Sequence, residues 1–310
     1  MVSIIITAYN AERYIKRAIL SVLNQTRKDI EVVVIDDGST DHTAEIVKSF
    51  LDSRIRYIYQ KNQNVGSARN RGIRESRGKY LTFLDPDDEY LPEKVAAEAE
   101  FLESNPEYQA VYCDTVQFYS DNPEKLFRKK GQKPSGNIFP HLLHSSVINP
   151  NTFMATKDLI ERIGMFDEDP DSPEDWELWL RIAGAGYLFG YIDRALVRVE
   201  MRKDSRTTSD VNFRGKKYLL EIFENVFSAM SPKERERYKT GKILQDLKWK
   251  IAFICLINNN TEELRQITPG ISSAPRRFFV LALKIIPAPL RGAFLSFLWK
   301  LYQRRSFAQV

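Results

Sequence analysis

The chain of 310 residues carries 46 Lys+Arg against 41 Asp+Glu, 14 Gly, 14 Pro and 2 Cys, and 43% of its residues are hydrophobic. That composition excludes a disordered chain, a collagen-like repeat and a small disulfide scaffold, and the length allows one large domain or two modest ones. The net charge of +5 divides unevenly, because residues 1–200 sum to −7 and residues 201–310 to +12. Cys113 and Cys255 are the only cysteines, too few for a disulfide framework or a cysteine-based zinc site, so a reducing, cytoplasmic setting is the expectation.

Residues 2–9 form a near-continuous apolar run without the basic start or small-residue cleavage site of an export signal, and they read as a strand. The spacing of Ile15, Ala18, Ile19, Val22 and Leu23 predicts a helix behind an Asn10 cap. The alternation repeats with a strand over residues 30–35 and a helix carrying Ile46, Val47, Phe50 and Leu51 behind a Ser39-Thr40-Asp41 capping cluster. It repeats again with a strand over 55–59, a helix over 66–74 and a strand over 80–84. Pro92 suits the first position of a helix running through Val95 to Leu102, and residues 110–119 read as another strand. Residues 121–137, rich in Pro, Lys and Gly, read as a mobile loop, and residues 138–199 as shorter elements. Residues 212–264 read as helical, with Tyr218, Leu219, Ile222, Phe223 and Val226 on one face. Strands alternating with helices and few hairpins predict an α/β fold, a mostly parallel sheet with helices on both faces, followed by a helical appendage.

In such sheets ligands gather beyond the carboxyl ends of the strands. Here those ends read Thr7-Ala8-Tyr9-Asn10, Asp36-Asp37-Gly38-Ser39 and Asp85-Pro86-Asp87-Asp88, so acidic residues converge on one edge. Neither the dinucleotide fingerprint G-x-G-x-x-G nor the P-loop G-x-x-x-x-G-K-[ST] follows the first strand. The edge instead offers oxygen ligands for a hard divalent cation, as a bound diphosphate would require. A lone D-x-D turn is also what ordinary solvated caps look like.

Five segments in order resemble the family 2 inverting glycosyltransferases of the GT-A fold. They are Val2 to Asn10, Val34-Ile35-Asp36-Asp37-Gly38-Ser39-Thr40-Asp41, Asn64-Val65-Gly66-Ser67-Ala68-Arg69-Asn70, Phe83-Leu84-Asp85-Pro86-Asp87-Asp88, and Gly164-Met165-Phe166-Asp167 with Glu174-Asp175-Trp176-Glu177-Leu178-Trp179-Leu180-Arg181. The resemblance spans about residues 1–200. It implies a GT-A catalytic domain over 1–205, with a nucleotide-binding half (1–120) and an acceptor half (121–205), ahead of a helical, basic extension over 206–310.

What it implies residue by residue is a nucleotide pocket lined by Thr7, Ala8 and Tyr9, with Asp36 accepting the imide proton of a uracil-like base or, in the plainer reading, capping a turn. Arg69 would approach the base or diphosphate. Asp85 would contact ribose and metal, Asp87 would be the chief ligand of Mg²⁺ or Mn²⁺, and Asp88 is a secondary candidate or a cap. Asp175 would be the general base, with Glu174 beside it; both also suit a helix N-terminus as plain caps. Trp176 and Trp179 suit a sugar-stacking wall or core packing, with core the expectation for Trp179. His141 and His144, three apart, lack a third zinc-type ligand and read as surface residues or as residues supporting a site from behind its direct ligands.

The implied activity is metal-dependent transfer of a sugar, of hexosyltransferase type, from a nucleotide donor, UDP-sugar favoured, to a glycan or lipid-linked acceptor in cell-envelope or exopolysaccharide synthesis. The alternatives are a sugar-phosphate nucleotidyltransferase, which expects a Gly-rich phosphate loop that Ala8-Tyr9-Asn10-Ala11 lacks, and a catalytically silent nucleotide-sugar-binding protein. After Glu263 no acidic residue follows, and Phe278, Phe279, Leu281, Phe294, Phe297, Leu298, Trp299 and Tyr302 stand among basic residues. The tail's uncharged stretches are too short to span a bilayer, so peripheral contact with the anionic inner face of a membrane, or packing on the catalytic domain, is the expectation. Nucleic acid is not an expected partner, as no recognition module accompanies the charge.

Overall fold

The computed structural model describes residues 1–128, 133–201, 213–257 and 260–267. The chain divides into two compact units, Met1–Thr208 and Ser209–Val310. The first begins with β1 (Val2–Ala8), α1 (Ile15–Leu23), β2 (Ile30–Asp36), α2 (Thr43–Lys48), β3 (Ile55–Tyr59), α3 (Val65–Glu75), β4 (Tyr80–Leu84), β5 (Glu89–Tyr90) and α4 (Lys94–Ser104). It continues with β6 (Tyr108–Tyr119), β7 (Asn122–Phe127), α5 (Phe139–Leu142), a single 3₁₀ turn (Pro150–Thr152), β8 (Phe153–Thr156), α6 (Lys157–Ile163), α7 (Glu174–Gly184) and β9 (Leu188–Met201).

Among the described residues the strands form one sheet in the order β3-β2-β1-β4-β8-β6-β9-β5, with β7 paired to β6. The first four strands are parallel, β8 runs against both β4 and β6, and β9 is parallel to β6. At β1 and β2 the sheet is buried on both faces, which is why they read as continuous apolar runs rather than alternating ones. Even-numbered β1 residues Val2, Ile4 and Ile6 pack with Ile15, Ala18, Ile19 and Val22 of α1 and Val95, Ala99 and Leu102 of α4. On the other face Val33 and Ile35 pack against Ala68 of α3, and Phe153 and Phe166 against Trp179 of α7, ring centroids 4.0 and 6.4 Å apart. Each such aliphatic or aromatic side chain contributes about 1.5–3 kcal/mol on burial.

Several local expectations are corrected. Asn10 does not cap α1; it sits at φ +49 with its side chain accepting from the Thr40 backbone N–H at 2.9 Å, while Tyr14 precedes the helix. The Ser39-Thr40-Asp41 cluster likewise stops short of α2, whose N-cap is His42, although Asp41 still accepts from the Thr43 N–H at 3.0 Å. Pro92 precedes α4 by two residues, and its carbonyl accepts from the Thr26 N–H. Part of the expected 121–137 loop is β7, which continues β6 through a tight reversal with every residue exposed.

The described residues of the second unit are helical: α8 (Phe213–Ala229), α9 (Pro232–Arg237), α10 (Thr240–Ile257) and α11 (Thr261–Ile267). Its core joins Leu219, Leu220, Phe223 and Phe227 of α8 to Ile243, Leu247, Ile251 and Ile254 of α10, a stripe rotated slightly from the expected one. Among the described residues no helix is long and apolar enough to cross a membrane. The aromatic and basic tail from residue 268 onward lies outside the described residues.

Candidate functional site

The carboxyl ends of β2, β1 and β4 share one edge. Ala8 pairs with Asp36, and Ile6 with Leu84, so Asp36 and Asp85 stand two strand spacings apart, about 10 Å. Between them Thr7 and Ala8 are buried and Tyr9 is 54% exposed, an aromatic residue at the rim. The fully buried Asp36 accepts from the Ser39 N–H at 2.8 Å and from the Tyr57 hydroxyl at 2.7 Å. Its carboxylate is fixed in place by these donors, and Ser39 shows that the turn-cap reading of Asp36 also holds. Gly38, at φ +83, closes this turn against Asn62, leaving no room for a side chain.

Asn64 caps α3 by accepting from the Ser67 N–H at 2.9 Å and donates to the Glu168 carbonyl at 2.8 Å. Gly66 lets the first turn of α3 press on the 166–168 loop, because a Cβ there would lie 2.2 Å from the Asp167 carbonyl oxygen. Asn70 completes the clasp, bonding both the N–H and the carbonyl of Phe166. Gly66→Ala is therefore expected to cost about 1–3 kcal/mol by overpacking against immovable backbone, seen as a drop in Tm, with donor affinity falling because Arg69 shifts with the helix.

Arg69 is the hub. Only 3% exposed, it donates to Glu174 Oε1 at 2.8 Å and to Asp85 Oδ1 at 3.2 Å, with its guanidinium carbon 5.2 Å from the Phe166 ring centroid. Burial alone would lower its pKa, but the charges of Asp85, Glu174 and Asp175 more than offset this and raise it. Arg69, Asp85, Glu174 and Asp175, from α3, the turn after β4 and α7, are thus brought together although more than 100 residues separate Arg69 from α7.

Neither acid of α7 supplies a side-chain cap at its N-terminus: the cap is Pro173. Glu174 is engaged by Arg69, whereas Asp175 accepts the N–H of Trp176 at 2.6 Å. Burial, then the adjacent Glu174 charge, pushes the Asp175 carboxyl up to about 7, against the pull of Arg69. A carboxyl with that pKa is suited to accept a proton near neutral pH. Trp176 donates its Nε1–H to the Leu142 carbonyl at 2.8 Å, and Trp179 is fully buried in the core.

The turn after β4 is braced from below by residues that the sequence did not single out. Asn151, fully buried, accepts from the Asp85 N–H at 2.7 Å and donates to Asp88 Oδ2 at 2.5 Å. Asp88 also accepts from the Glu200 N–H, and Glu200 pairs with Arg17, whose guanidinium donates to the Asp87 carbonyl at 2.6 Å. Burial, then the charges of Asp85 and Asp87, raises the Asp88 carboxyl well above the usual range, so Asp88 is a brace within the turn. Asp85 and Asp87 remain partly exposed above it.

That donor set, two carboxylates on a turn at an open edge, fits a small hard cation completing its shell with phosphate oxygens and water. Among the described residues no group of three or more His, Cys, Asp and Glu could hold a metal by itself, which such a substrate-completed site does not need. His141 and His144 are exposed, and His42 pairs with Glu45.

The family model for glycosyl transferase family 2 matches residues 3–162. A Rickettsia bellii protein described as an uncharacterized glycosyltransferase is 37% identical over 213 residues, 68% of this chain and 30% of that protein. A Rickettsia prowazekii protein described in the same words is 32% identical over 241 residues, 75% and 72% of the two chains. This chain therefore spans less than a third of the first relative's length. Among solved structures, Staphylococcus aureus TarS 1–349 in complex with UDP-GlcNAc superposes with TM-score 0.64 at 16% identity, covering 97% of this chain and 91% of that one. The mannosyltransferase PcManGT from Pyrobaculum calidifontis, in complex with GDP-Man and Mn²⁺, gives 0.61 at 17%, covering 100% and 88%. The structures share the GT-A fold, and the sequence match over residues 3–162 shows that the chain belongs to glycosyl transferase family 2.

Proposed function

We propose that this glycosyltransferase moves a sugar from a nucleoside-diphosphate donor, UDP-sugar favoured, to a hydroxyl of a glycan or lipid-linked acceptor with inversion at the anomeric carbon. The observation that carries the reading is the division of labour around Arg69. The guanidinium holds Glu174 and Asp85 while Asp175, pushed up to about 7, keeps a carboxylate for proton transfer. In this reading Asp36, whose carboxylate is held by the Ser39 N–H, would accept the imide N–H of a uracil-like base, the exposed Tyr9 would flank that base, and the buried Thr7 and Ala8 would line the nucleotide site.

Asp87 and Asp85 are the residues that would hold Mg²⁺ or Mn²⁺. When bound, the ion would offset the charge that develops on the departing diphosphate. The chain's own contribution is positional and acid–base. Arg69 lies beside the same turn and adds fixed positive charge to it. Asp175 accepts the proton of the acceptor hydroxyl as that oxygen bonds to the anomeric carbon and the anomeric C–O bond to the diphosphate breaks, with the electron pair leaving on the nucleotide. Direct displacement needs no covalent sugar-enzyme intermediate, so a single attack inverts the configuration. TarS complexed with UDP-GlcNAc and PcManGT complexed with GDP-Man and Mn²⁺ support a nucleotide-sugar donor on this fold. A role in cell-envelope or exopolysaccharide synthesis at the inner face of the membrane rests on the acid-free, aromatic tail sequence.

The test is calorimetric. UDP-sugar is expected to bind the protein in the presence of Mn²⁺, and Asp87→Ala to abolish the metal-dependent part of that affinity with little loss of Tm, because Asp87 lies at the edge rather than in the core. Unchanged metal-dependent binding in the variant sinks the metal assignment, and preference for a nucleotide without an acidic N–H on its base sinks the role of Asp36.

A further inference from the structure

The sheet edge does not end at the acidic turn. Thr82 of β4, Met154 of β8 and Val111 of β6 are in register, so three residues further toward the edge the line reaches Asp85, Asn151 and Asp114. Asp114 therefore stands at the height of Asp85, about 10 Å beyond it on the side away from Asp36. It is 3% exposed and accepts from Arg128 at 2.8 Å, from the Tyr191 hydroxyl at 3.0 Å and pairs with Lys133 at 3.0 Å.

Two of the partners of Asp114, Lys133 and Tyr191, line a cavity of about 650 Å³ together with Pro134, Ser135, His141 and Asp193, within the roughly 300–1,000 Å³ usual for ligand sites. Its aromatic lining residue, Tyr191, is backed by the fully buried Tyr112: the two rings lie 5.2 Å apart, and the Tyr112 hydroxyl donates to the Pro134 carbonyl at 2.5 Å. At its mouth β9 departs from register, Ile192 pairing with Cys113 but Ala195 with Asp114, a bulge of the kind that re-aims side chains beside functional sites. The bulge turns out Asp193, whose side chain is 72% exposed. His141 belongs to α5, whose Leu142 carbonyl receives the indole N–H of Trp176, the residue next to Asp175.

We propose that this cavity is the acceptor subsite and that it takes a neutral saccharide, a ring stacked on Tyr191 with hydroxyls bonded to Asp193 and His141; the assignment rests on the transferase reading above. The charge of the cavity selects the class. Among the described residues Arg128 bridges Asp114 and Asp193, and Lys133 pairs with Asp114, so two cations meet two carboxylates, a balanced set that suits an uncharged ligand. The Tyr191 ring and the Asp193 carboxylate are what a sugar's C–H face and hydroxyls require, a hydroxyl bond to a charged group adding more than one to a neutral group.

The probes are 4-nitrophenyl glycosides of glucose, galactose, mannose and N-acetylglucosamine, with glycerol phosphate as the anionic comparison, followed by saturation-transfer NMR on the full chain with Mg²⁺ and UDP. At least one glycoside is expected to bind wild type with saturation arriving at its ring protons. Tyr191→Ala should weaken that binding by about tenfold and Asp193→Ala by several-fold, the order of one stacking or one charge-assisted contact. Tyr191→Phe, which keeps the ring and its packing on Tyr112, should retain it. UDP affinity, measured by calorimetry on the same samples, reports the donor site separately and should be alike in all four proteins. Absence of glycoside binding to wild type, equal binding by Tyr191→Ala, or preference for glycerol phosphate overturns the subsite even where UDP binds. Absence of UDP binding to wild type overturns the transferase reading instead.

Discussion

Asp175→Asn is expected to lower sugar transfer by about 10²–10⁴-fold, the usual contribution of a general base, while UDP-sugar affinity hardly changes. The substitution retains size and keeps an oxygen to accept the Trp176 N–H that Asp175 accepts at 2.6 Å, so a purely local structural role survives it. The neighbouring Glu174→Gln weakens one charge-assisted bond to Arg69 and should act mainly on donor affinity; the larger rate loss appearing there would move the base one residue back.

The same variant carries a stability signature of opposite sign. The Asp175 carboxyl sits at about 7 in the folded chain against 3.8 in the unfolded one. Between roughly pH 4 and 7 the folded state therefore binds more protons, and its stability falls as pH rises through that window. Asn cannot ionise, so Asp175→Asn should match wild type near pH 4 and exceed its Tm by several °C near pH 8. A variant that is inactive yet more stable at pH 8 separates a base retained at a cost in stability from a structural acid. Equal activity, or a lower Tm at pH 8, refutes the assignment.

The parts of this site that were legible in the sequence are those whose signal is local. β1, β2 and β4 are buried on both faces and end in abrupt polar turns, so strand and functional edge were both marked by a few consecutive residues. Asp36 and Asp85 could be named for that reason, and Asp175 through the Glu174-to-Arg181 segment that carries the family resemblance. Asn151, Arg17 and Glu200 could not, because their roles exist only through partners 63 to 183 residues away and each stands in an undistinguished local pattern. β7 was missed for a different reason. Every residue is exposed and Pro123 interrupts the run, so nothing alternates, and only its pairing with β6 makes it a strand. The bulge that turns out Asp193 is equally invisible, since it is a property of the register between β9 and β6 rather than of either strand.

Arg69→Met should be the most damaging single change to both fold and chemistry. Met keeps the apolar stem against Phe166 and removes the charge that pairs with Asp85 and Glu174. Breaking such a buried pair by deleting one partner costs about 3–5 kcal/mol because the remaining charges stay desolvated; here Asp85 and Glu174 keep 35% and 20% side-chain exposure, so roughly 2–3 kcal/mol is the expectation, read as a lower Tm at pH 8. The effect on rate follows from the sign of the same interaction. Arg69 lowers the Asp175 carboxyl while burial and Glu174 raise it, so without the guanidinium that carboxyl moves further up. The acidic limb of kcat/KM for the donor, which reports the free enzyme, should then shift to higher pH, and activity lost at pH 7 should be partly recovered at pH 9. Asp85 would also lose its partner and weaken donor binding at every pH, so the decisive readout is the position of the limb rather than the height of the plateau. A limb that stays near pH 7 in Arg69→Met would show that Asp175 does not set it.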